Sequence, residues 1–178
     1  VSLLLRFYDA TEGTIYIDGR PIQSIPIQEL RRRFGVVFQN DALFEDSISE
    51  NVRLGRELTE EELKQAILYA QAKEFVEEKN RGYYDKLNIK GANLSGGQKQ
   101  RILIARALAA HPDILILDDS SSALDYRTDA SLRKELKEHF KETTTVIIAQ
   151  RISSIMHADH ILVLEDGEMI GYGTHDEL

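Results

Sequence analysis

Apolar and polar positions along this chain follow two periods, one typical of strands and one typical of helices. Runs of apolar residues with the length of buried strands occupy positions 35–38, 114–117 and 146–149. Apolar residues spaced three and four apart predict helices at 63–70, 102–108 and 126–140. The last third thus follows the order strand, helix, strand, which predicts parallel strands joined by a crossover helix. We therefore expect an α/β fold.

Local signals mark the beginning of a helix and the turns of two hairpins. Thr59 precedes Glu62 by three residues, which is the spacing of a capping box at a helix N-terminus. The Asp18-Gly19 dipeptide lies between alternating residues and predicts a hairpin turn. A second hairpin is expected within residues 161–170.

The two ends of the sequence are abrupt. Residues 2–7 have the pattern of the second half of an amphipathic helix, with no N-cap before it. We therefore expect the sequence to be part of a longer protein. Within it, the pattern predicts a core formed by residues 1–39 and 108–178, and a mostly helical insertion at residues 40–107.

Composition narrows the possible functions. The chain has 178 residues, of which 42% are hydrophobic and 29% charged, as in an ordinary globular domain. Its net charge of −8 argues against nucleic-acid binding, because phosphate contacts need clustered Lys and Arg. It has no cysteine and hence no disulfide framework. No apolar run approaches the roughly 20 residues that a membrane helix needs.

The most informative segment is residues 94–101, with the sequence LSGGQKQR. Gly96 and Gly97 allow a ligand to approach the backbone without obstruction by a Cβ atom. Ser95 and Gln98 have capping-box spacing, which places the glycines in the first helical turn, where free N–H groups favour an anion. A single Ser-Gly-Gly could be a plain helix cap, but the whole octapeptide resembles the signature motif of the ABC ATPase family.

Two acidic residues, Asp118 and Asp119, directly follow the apolar run 114–117. Ligands of parallel sheets bind at the carboxyl ends of the strands, and a carboxylate at Asp118 could hold Mg²⁺ there. The pattern alone fits a solvated strand end equally well. Because it follows the signature at the family's spacing, it resembles the Walker B motif.

Three further positions match the same family. Gln39 follows the run 35–38 and is similar to the Q-loop, which in this family touches the Mg²⁺ shell and faces the membrane domain. Residues 122–125 resemble the D-loop that crosses the dimer interface, which implies that Asp125 lies near nucleotide. Gln150 occupies the switch position. The first and last segments are similar to the exporter branch, so the resemblance covers essentially the whole chain.

The resemblance implies a RecA-like P-loop NTPase core with a helical subdomain, which binds ATP and Mg²⁺ in a head-to-tail dimer. Gln39 and Asp118 would hold the metal, while Asp119 and Gln150 would act in catalysis at the chain's own site. The signature residues 95–98 would complete the partner's site. The implied partners are the transmembrane domain of the same transporter and a second ABC subunit, at the cytoplasmic face of the membrane, with no nucleic acid.

The chain departs from the family pattern in ways that bear on activity. The Gly-rich P-loop with its lysine is absent from these residues, so we expect them alone to bind ATP poorly. Asp119 replaces the usual Glu, which shortens the reach of a general base by one methylene. Gln150 replaces the usual His and cannot carry a charge. These two replacements together predict the degenerate half of a heterodimeric exporter. Ile89 also stands where the exporter pattern has an acid.

Two other hypotheses compete with a transport ATPase. One is a soluble ABC protein of DNA repair or translation. Repair proteins carry long coiled coils between the Q-loop and the signature, and the interval from Gln39 to Leu94 is too short for them. Translation proteins need basic linkers and tandem domains, which this sequence lacks. The other hypothesis, a non-catalytic nucleotide-binding module, stays open. A surface turn is expected for three residues with metal-binding side chains, His157, Asp159 and His160.

Overall fold

A three-stranded parallel sheet lies at the centre of the computed structural model, which describes all 178 residues. The strands are β1 (Tyr16–Ile17), β2 (Arg20–Pro21), β3 (Phe34–Val37), β4 (Ile114–Asp118), β5 (Thr144–Ile148), β6 (Ile161–Glu165) and β7 (Glu168–Gly173). The helices are α1 (Ile27–Arg32), α2 (Ile48–Arg53), α3 (Glu60–Tyr69), α4 (Lys73–Glu77), α5 (Gly96–Leu108) and α6 (Tyr126–His139). No helix has the length and apolar character to cross a bilayer.

The central sheet has the order β3-β4-β5, with all strands parallel. Val37 pairs with Leu117, which in turn pairs with Ile147, so the three strands end at the same edge. The α/β prediction and the parallel crossover through α6 are thus confirmed. Strand β5 begins at Thr144, slightly earlier than its apolar residues indicated, because threonine pairs well in a sheet without adding to an apolar run.

The two faces of the sheet contact different cores. Leu115 and Leu117 belong to a cluster of 24 buried residues that also includes side chains of α2, α3, α5 and α6. Ile116, between them, belongs to a cluster of 7 residues contributed largely by the first part of the chain. The alternation follows from the two-residue period of side chains in a strand. Both faces of β4 are therefore buried, which explains its uninterrupted apolar sequence.

Helix α5 packs closely against the beginning of β3. A Cβ atom at Gly35 would lie 2.6 Å from the carbonyl oxygen of Ala107 and 2.9 Å from a side-chain carbon of Pro112. Because backbone cannot yield easily at such distances, only glycine fits there. The C-terminal end of α5 thus lies at the start of β3, and its N-terminal end is directed toward the edge where the strands end.

The predicted capping boxes and hairpins are present. Thr59 and Glu62 exchange both capping hydrogen bonds at the start of α3. Strands β1 and β2 form the first hairpin, with Asp18 at φ 49° and Gly19 at φ 74°, as in a type I′ turn. Strands β6 and β7 form the second. Large apolar side chains of the second hairpin are exposed at Leu162, Leu164, Met169, Ile170 and Tyr172.

The opening segment is a single turn rather than a regular helix. Its backbone ends in a Schellman motif, in which Phe7 N donates to Ser2 O at 2.9 Å and Arg6, at φ 49°, donates to Leu3 O at 3.2 Å. Arg31 supplies donors for two carbonyls left free there, with Nε to Leu5 O at 3.0 Å and Nη2 to Arg6 O at 3.1 Å. The sequence correctly predicted the end of a helix at residues 2–7. The structure contains a single turn of that helix.

The segment between Gln39 and Leu94 contains three short helices, of which the longest, α3, has 10 residues. No coiled coil is present in it. This agrees with the argument from the sequence against a repair-type ABC protein.

Candidate functional site

Three of the expected site residues come together because the strands of the central sheet end side by side. Asp118 is the last residue of β4 and pairs with Ile148, the last residue of β5. Gln39 and Gln150 each follow the end of a flanking strand by two residues. Neighbouring strands lie roughly 5 Å apart, so these side chains share the edge where parallel sheets bind ligands.

Asp118 and Gln39 fit a magnesium ion by their chemistry. The Asp118 side chain is half-buried and makes no hydrogen bond within the chain, and Gln39 is exposed and equally unengaged. Both offer oxygen atoms, which Mg²⁺ prefers, and a metal bound by one or two protein oxygens takes its other ligands from phosphate and water. The structure gathers no cluster of three or more His, Asp or Glu side chains that could hold a metal without such help.

The backbone at Asp119 is held in a fixed position. Its φ of 51° is in the left-handed region, which aspartate tolerates better than most residues. Its N–H donates to Ile148 O at 2.9 Å, and its carbonyl accepts the Ser122 hydroxyl at 2.9 Å. Its half-buried carboxylate has no partner within the chain. The expected catalytic carboxylate is therefore free. Hydrogen bonds hold its backbone, so the backbone does not move outward to make up for the methylene by which aspartate is shorter than glutamate.

The signature forms the start of α5 as predicted. Ser95 is the N-cap, and its Oγ accepts from Gln98 N at 3.2 Å, while Gln98 Oε1 accepts from Ser95 N at 3.0 Å. These bonds use acceptor atoms of both side chains. The Ser95 O–H and the Gln98 amide N–H groups remain available as donors, beside the free backbone N–H groups of the first helical turn. The arrangement suits an anion approaching the helix end.

The start of α5 lies against the segment that the sequence identified as a D-loop. A Cβ atom at Gly97 would lie 3.0 Å from the carbonyl oxygen of Ala123, and one at Gly96 would lie 3.9 Å from the Ala123 Cβ. A side chain at Gly97 would displace this backbone or be displaced by it. The signature and the D-loop segment of one chain thus form a single packed unit, a relation that their separation in sequence does not reveal.

Asp125 has a structural role as the N-cap of α6. Its carboxylate accepts from Thr128 N at 2.9 Å and from the Thr128 hydroxyl at 2.8 Å. These hydrogen bonds, with that of the backbone N–H the stronger, lower the pKa of the Asp125 carboxyl. The cap fixes the end of the D-loop segment at the N-terminus of α6.

Arg151, next to the switch residue Gln150, was not recognised from the sequence. Its guanidinium donates to the carbonyls of the D-loop segment, to Ser122 at 3.1 Å, Ser121 at 3.4 Å and Leu124 at 3.5 Å. The loops that follow β4 and β5 are therefore joined directly. Because an arginine beside a strand end can equally well be solvated, no local pattern indicated this contact.

We expect Arg151→Ala to loosen the D-loop segment without unfolding the domain. The lost hydrogen bonds are long and partly exposed, so the free energy of unfolding should fall by about 1 kcal/mol. Amide hydrogen exchange should rise at Ser122 and Leu124, measured by mass spectrometry. The control is Arg127→Ala, which removes an exposed arginine that makes no ion pair or side-chain hydrogen bond. Equal exchange in the two variants would contradict the connection.

A second arginine, Arg106 of α5, anchors the segment after Gln39. It is 7% exposed and donates to Asn51 O at 2.8 Å, to Asn51 Oδ1 at 3.1 Å and to Ala42 O at 3.0 Å. Its Nη1 also lies 3.5 Å from Asp41 Oδ1. The helix that begins with the signature is thereby bonded to the Q-loop segment.

Arg101, in the first part of α5, contacts backbone carbonyls at the start of the helix and in the segment after α3. Its Nε donates to Gly97 O at 3.3 Å and its Nη1 to Gln71 O at 2.7 Å. Its guanidinium also lies 4.7 Å from the centre of the Phe75 ring. Burial lowers its pKa from the usual arginine value, although Asp125 and Glu74 oppose that change.

Known proteins resemble this chain over nearly its whole length. Residues 1–122 match the ABC transporter family model. The chain is 43% identical to Bacillus subtilis YgaD, named "Putative multidrug export ATP-binding/permease protein", over 100% of its own length. It is 48% identical to B. subtilis YfiB, named "Uncharacterized ABC transporter ATP-binding protein", over 99%. In both cases it spans 31% of the relative.

A solved structure agrees with the sequence relatives. A bacterial Atm1-family ABC exporter with ATP bound superposes with a TM-score of 0.95 at 38% sequence identity. The match covers 99% of this chain and 31% of the exporter chain. With the family match and the arrangement of signature and strand-end residues, we conclude that the chain belongs to the ABC transporter family and has the fold of an exporter's nucleotide-binding domain.

Proposed function

We propose that this chain binds MgATP at a head-to-tail interface with a second ABC subunit and couples ATP binding and hydrolysis to export by an attached transmembrane domain. The single observation that carries the proposal is the position of the signature. It lies at the free N-terminus of α5, packed on the D-loop segment, with anion-binding groups that no residue of the chain occupies. Such a surface needs a nucleotide held by another subunit.

We assign the residues at the sheet edge to the chain's own nucleotide. Asp118 and Gln39 would hold Mg²⁺, which neutralises phosphate charge when it is bound. Asp119 would orient the attacking water, and Gln150 would donate a hydrogen bond to the terminal phosphate. The cytoplasmic face of the membrane is the expected location, because the relative YgaD is named as an ATP-binding protein and permease in one chain.

We expect residues 1–178 alone to bind MgATP weakly, with a dissociation constant no better than about 1 mM, and to show no saturable ATPase activity. The reason is that the P-loop lysine and backbone donors, which grip the phosphates, are not among these residues. Isothermal titration calorimetry measures the affinity directly. Micromolar binding would contradict this expectation, because it would show that these residues hold nucleotide firmly without a P-loop.

The assembled transporter is expected to be a heterodimer. Asp119 and Gln150 replace the Glu and His of competent sites, so the partner subunit should carry Glu and His at the two corresponding positions. Co-expression of the full-length protein with such a half-transporter, followed by ATPase assays in lipid nanodiscs, tests this. Activity should need both subunits, and an active homodimer of the full-length protein would overturn the proposed degeneracy.

A further inference from the structure

A cavity of about 630 Å³ lies away from the strand-end residues. Its walls come from α1 and the start of β3, from the segment after α2, and from the second residue after the C-terminal end of α5. Phe34, in its wall, is the first residue of β3, whereas Gln39 follows the last one. The cavity and the nucleotide edge are therefore separated by the length of β3, in which each residue adds roughly 3.3 Å. The lining residues are Gln28, Arg31, Arg32, Phe34, Arg56 and Ala110.

The charge of this cavity is entirely positive. Three of its six lining residues are arginines and none is acidic. None of the three takes part in any ion pair of the chain, although six other arginines do. Seven of the chain's 13 arginines make no ion pair, and these three line one cavity together. Clustered positive charge without an acidic neighbour favours an anion from outside the chain.

Arg56 is the least satisfied of the three. Its Nη2 donates to Val52 O at 2.9 Å and Arg106 O at 2.7 Å, but its buried Nε has no hydrogen-bond partner. Burial, followed by the nearby charge of Arg106, lowers its pKa from the usual arginine value. Unmatched buried donors are rare in folded proteins. The Nη1 group of Arg56 makes no hydrogen bond within the chain and is not buried, so it is the group that an anion in the cavity could contact.

The other two arginines line the same cavity and also have unengaged N–H groups. Arg31 is held by its bonds to the carbonyls of Leu5 and Arg6, and Phe7 lies 4.9 Å from its guanidinium, which leaves Nη1 unengaged. Arg32 is exposed and makes no hydrogen bond within the chain, so its whole fork is available. Gln28 adds an amide donor to the wall. Guanidinium forks match phosphate oxygens in geometry as well as charge.

We propose that this cavity binds a phosphate oxyanion, either free or as the terminal group of an organic phosphate, independently of the nucleotide site. A single phosphate or pyrophosphate can contact guanidinium groups from several sides, which a carboxylate with two oxygens does less well. The occupant bridges α1 and the segment after α2, because Arg32 and Arg56 come from these two parts of the chain.

Calorimetric titration of the chain with inorganic pyrophosphate at low ionic strength tests the proposal. One pyrophosphate should bind per chain with a dissociation constant below about 1 mM. Arg32→Glu, at an exposed position that should not affect folding, should weaken binding at least about tenfold, and Arg56→Lys should weaken it less because the charge is kept. Titrations with inorganic phosphate and with a sugar phosphate, which has no adenine, distinguish a free anion from the terminal group of a larger molecule.

Two control variants show whether binding depends on this cavity rather than on net charge or on the signature. Arg127→Glu makes the same charge change at an exposed position on α6 and should leave the affinity unchanged. Gly97→Asp places a negative charge at the signature and should also leave it unchanged. Absence of saturable heat, loss of affinity in Arg127→Glu equal to that in Arg32→Glu, or loss of binding in Gly97→Asp would each overturn the proposal.

Discussion

In the assembled transporter, Gly97→Asp is expected to remove nearly all ATP turnover, whereas Asp119→Asn should reduce it only slightly. The Gly97 substitution acts in two ways. Its Cβ would lie 3.0 Å from the Ala123 carbonyl oxygen, so the D-loop segment must shift. Its carboxylate would lie in the first turn of α5, where, under the proposed function, the phosphates of the partner's nucleotide approach, and would repel them. Under the same proposal, both effects fall on the competent site that this chain's signature completes.

Asp119→Asn should have little effect if the site is degenerate as proposed. Asp119 is one methylene shorter than the usual Glu, and hydrogen bonds to Ile148 and Ser122 hold its backbone in place. A side chain that orients water badly has little catalysis to lose. If Asp119 were an effective base instead, removal of its charge should lower turnover by about 10²-fold.

Steady-state ATPase assays of the two variants decide between these possibilities. Gly97→Ala serves as a control, because it adds the Cβ without the charge and so separates the shift of the D-loop segment from repulsion. Thermal unfolding of each variant establishes that the domain is folded. Equal and severe losses in Gly97→Asp and Asp119→Asn would show that this is an ordinary catalytic subunit with an aspartate in place of glutamate.

Arg106→Ala is expected to lower the free energy of unfolding of the chain by about 2–4 kcal/mol. The substitution leaves Asn51 O without a donor in a buried position, leaves Ala42 O without one in a partly buried position, and leaves Asp41 without its cation. Arg106→Lys should recover part of the loss, because it keeps the charge but cannot reach all acceptors at once. Urea unfolding followed by circular dichroism measures the difference.

The matched control for Arg106 is Lys134→Ala on α6. Lys134 is an exposed residue whose pair with Glu138, at 3.9 Å, is a surface contact, so its loss should change stability by less than about 0.5 kcal/mol. Amide exchange should rise within residues 41–51 in Arg106→Ala and stay unchanged in the control. A loss of stability with no increase in exchange there would mean that Arg106 fills space in the core without holding the Q-loop segment.

Local sequence was sufficient for the elements of the fold. The capping boxes at Thr59 and Ser95 and the turn at Asp18-Gly19 are interactions among residues three or fewer positions apart, so a short stretch of sequence specifies them. The apolar sequence of β4 identified it as a strand buried on both faces. The order β3-β4-β5, which places Gln39 and Gln150 on either side of Asp118, came from the structure.

The connections around the site were decided by the tertiary structure alone. Gly97 lies against Ala123, Arg106 binds the segment after Gln39, and Arg151 binds the D-loop segment, each across a long separation in sequence. The arginine contacts are made to backbone carbonyls, which every residue has, so no side-chain pattern marks the partner. An arginine in a sequence can equally be solvated or buried, and only packing decides which. The sequence by itself thus predicted which residues form the site, whereas the fold determined how its loops are held together.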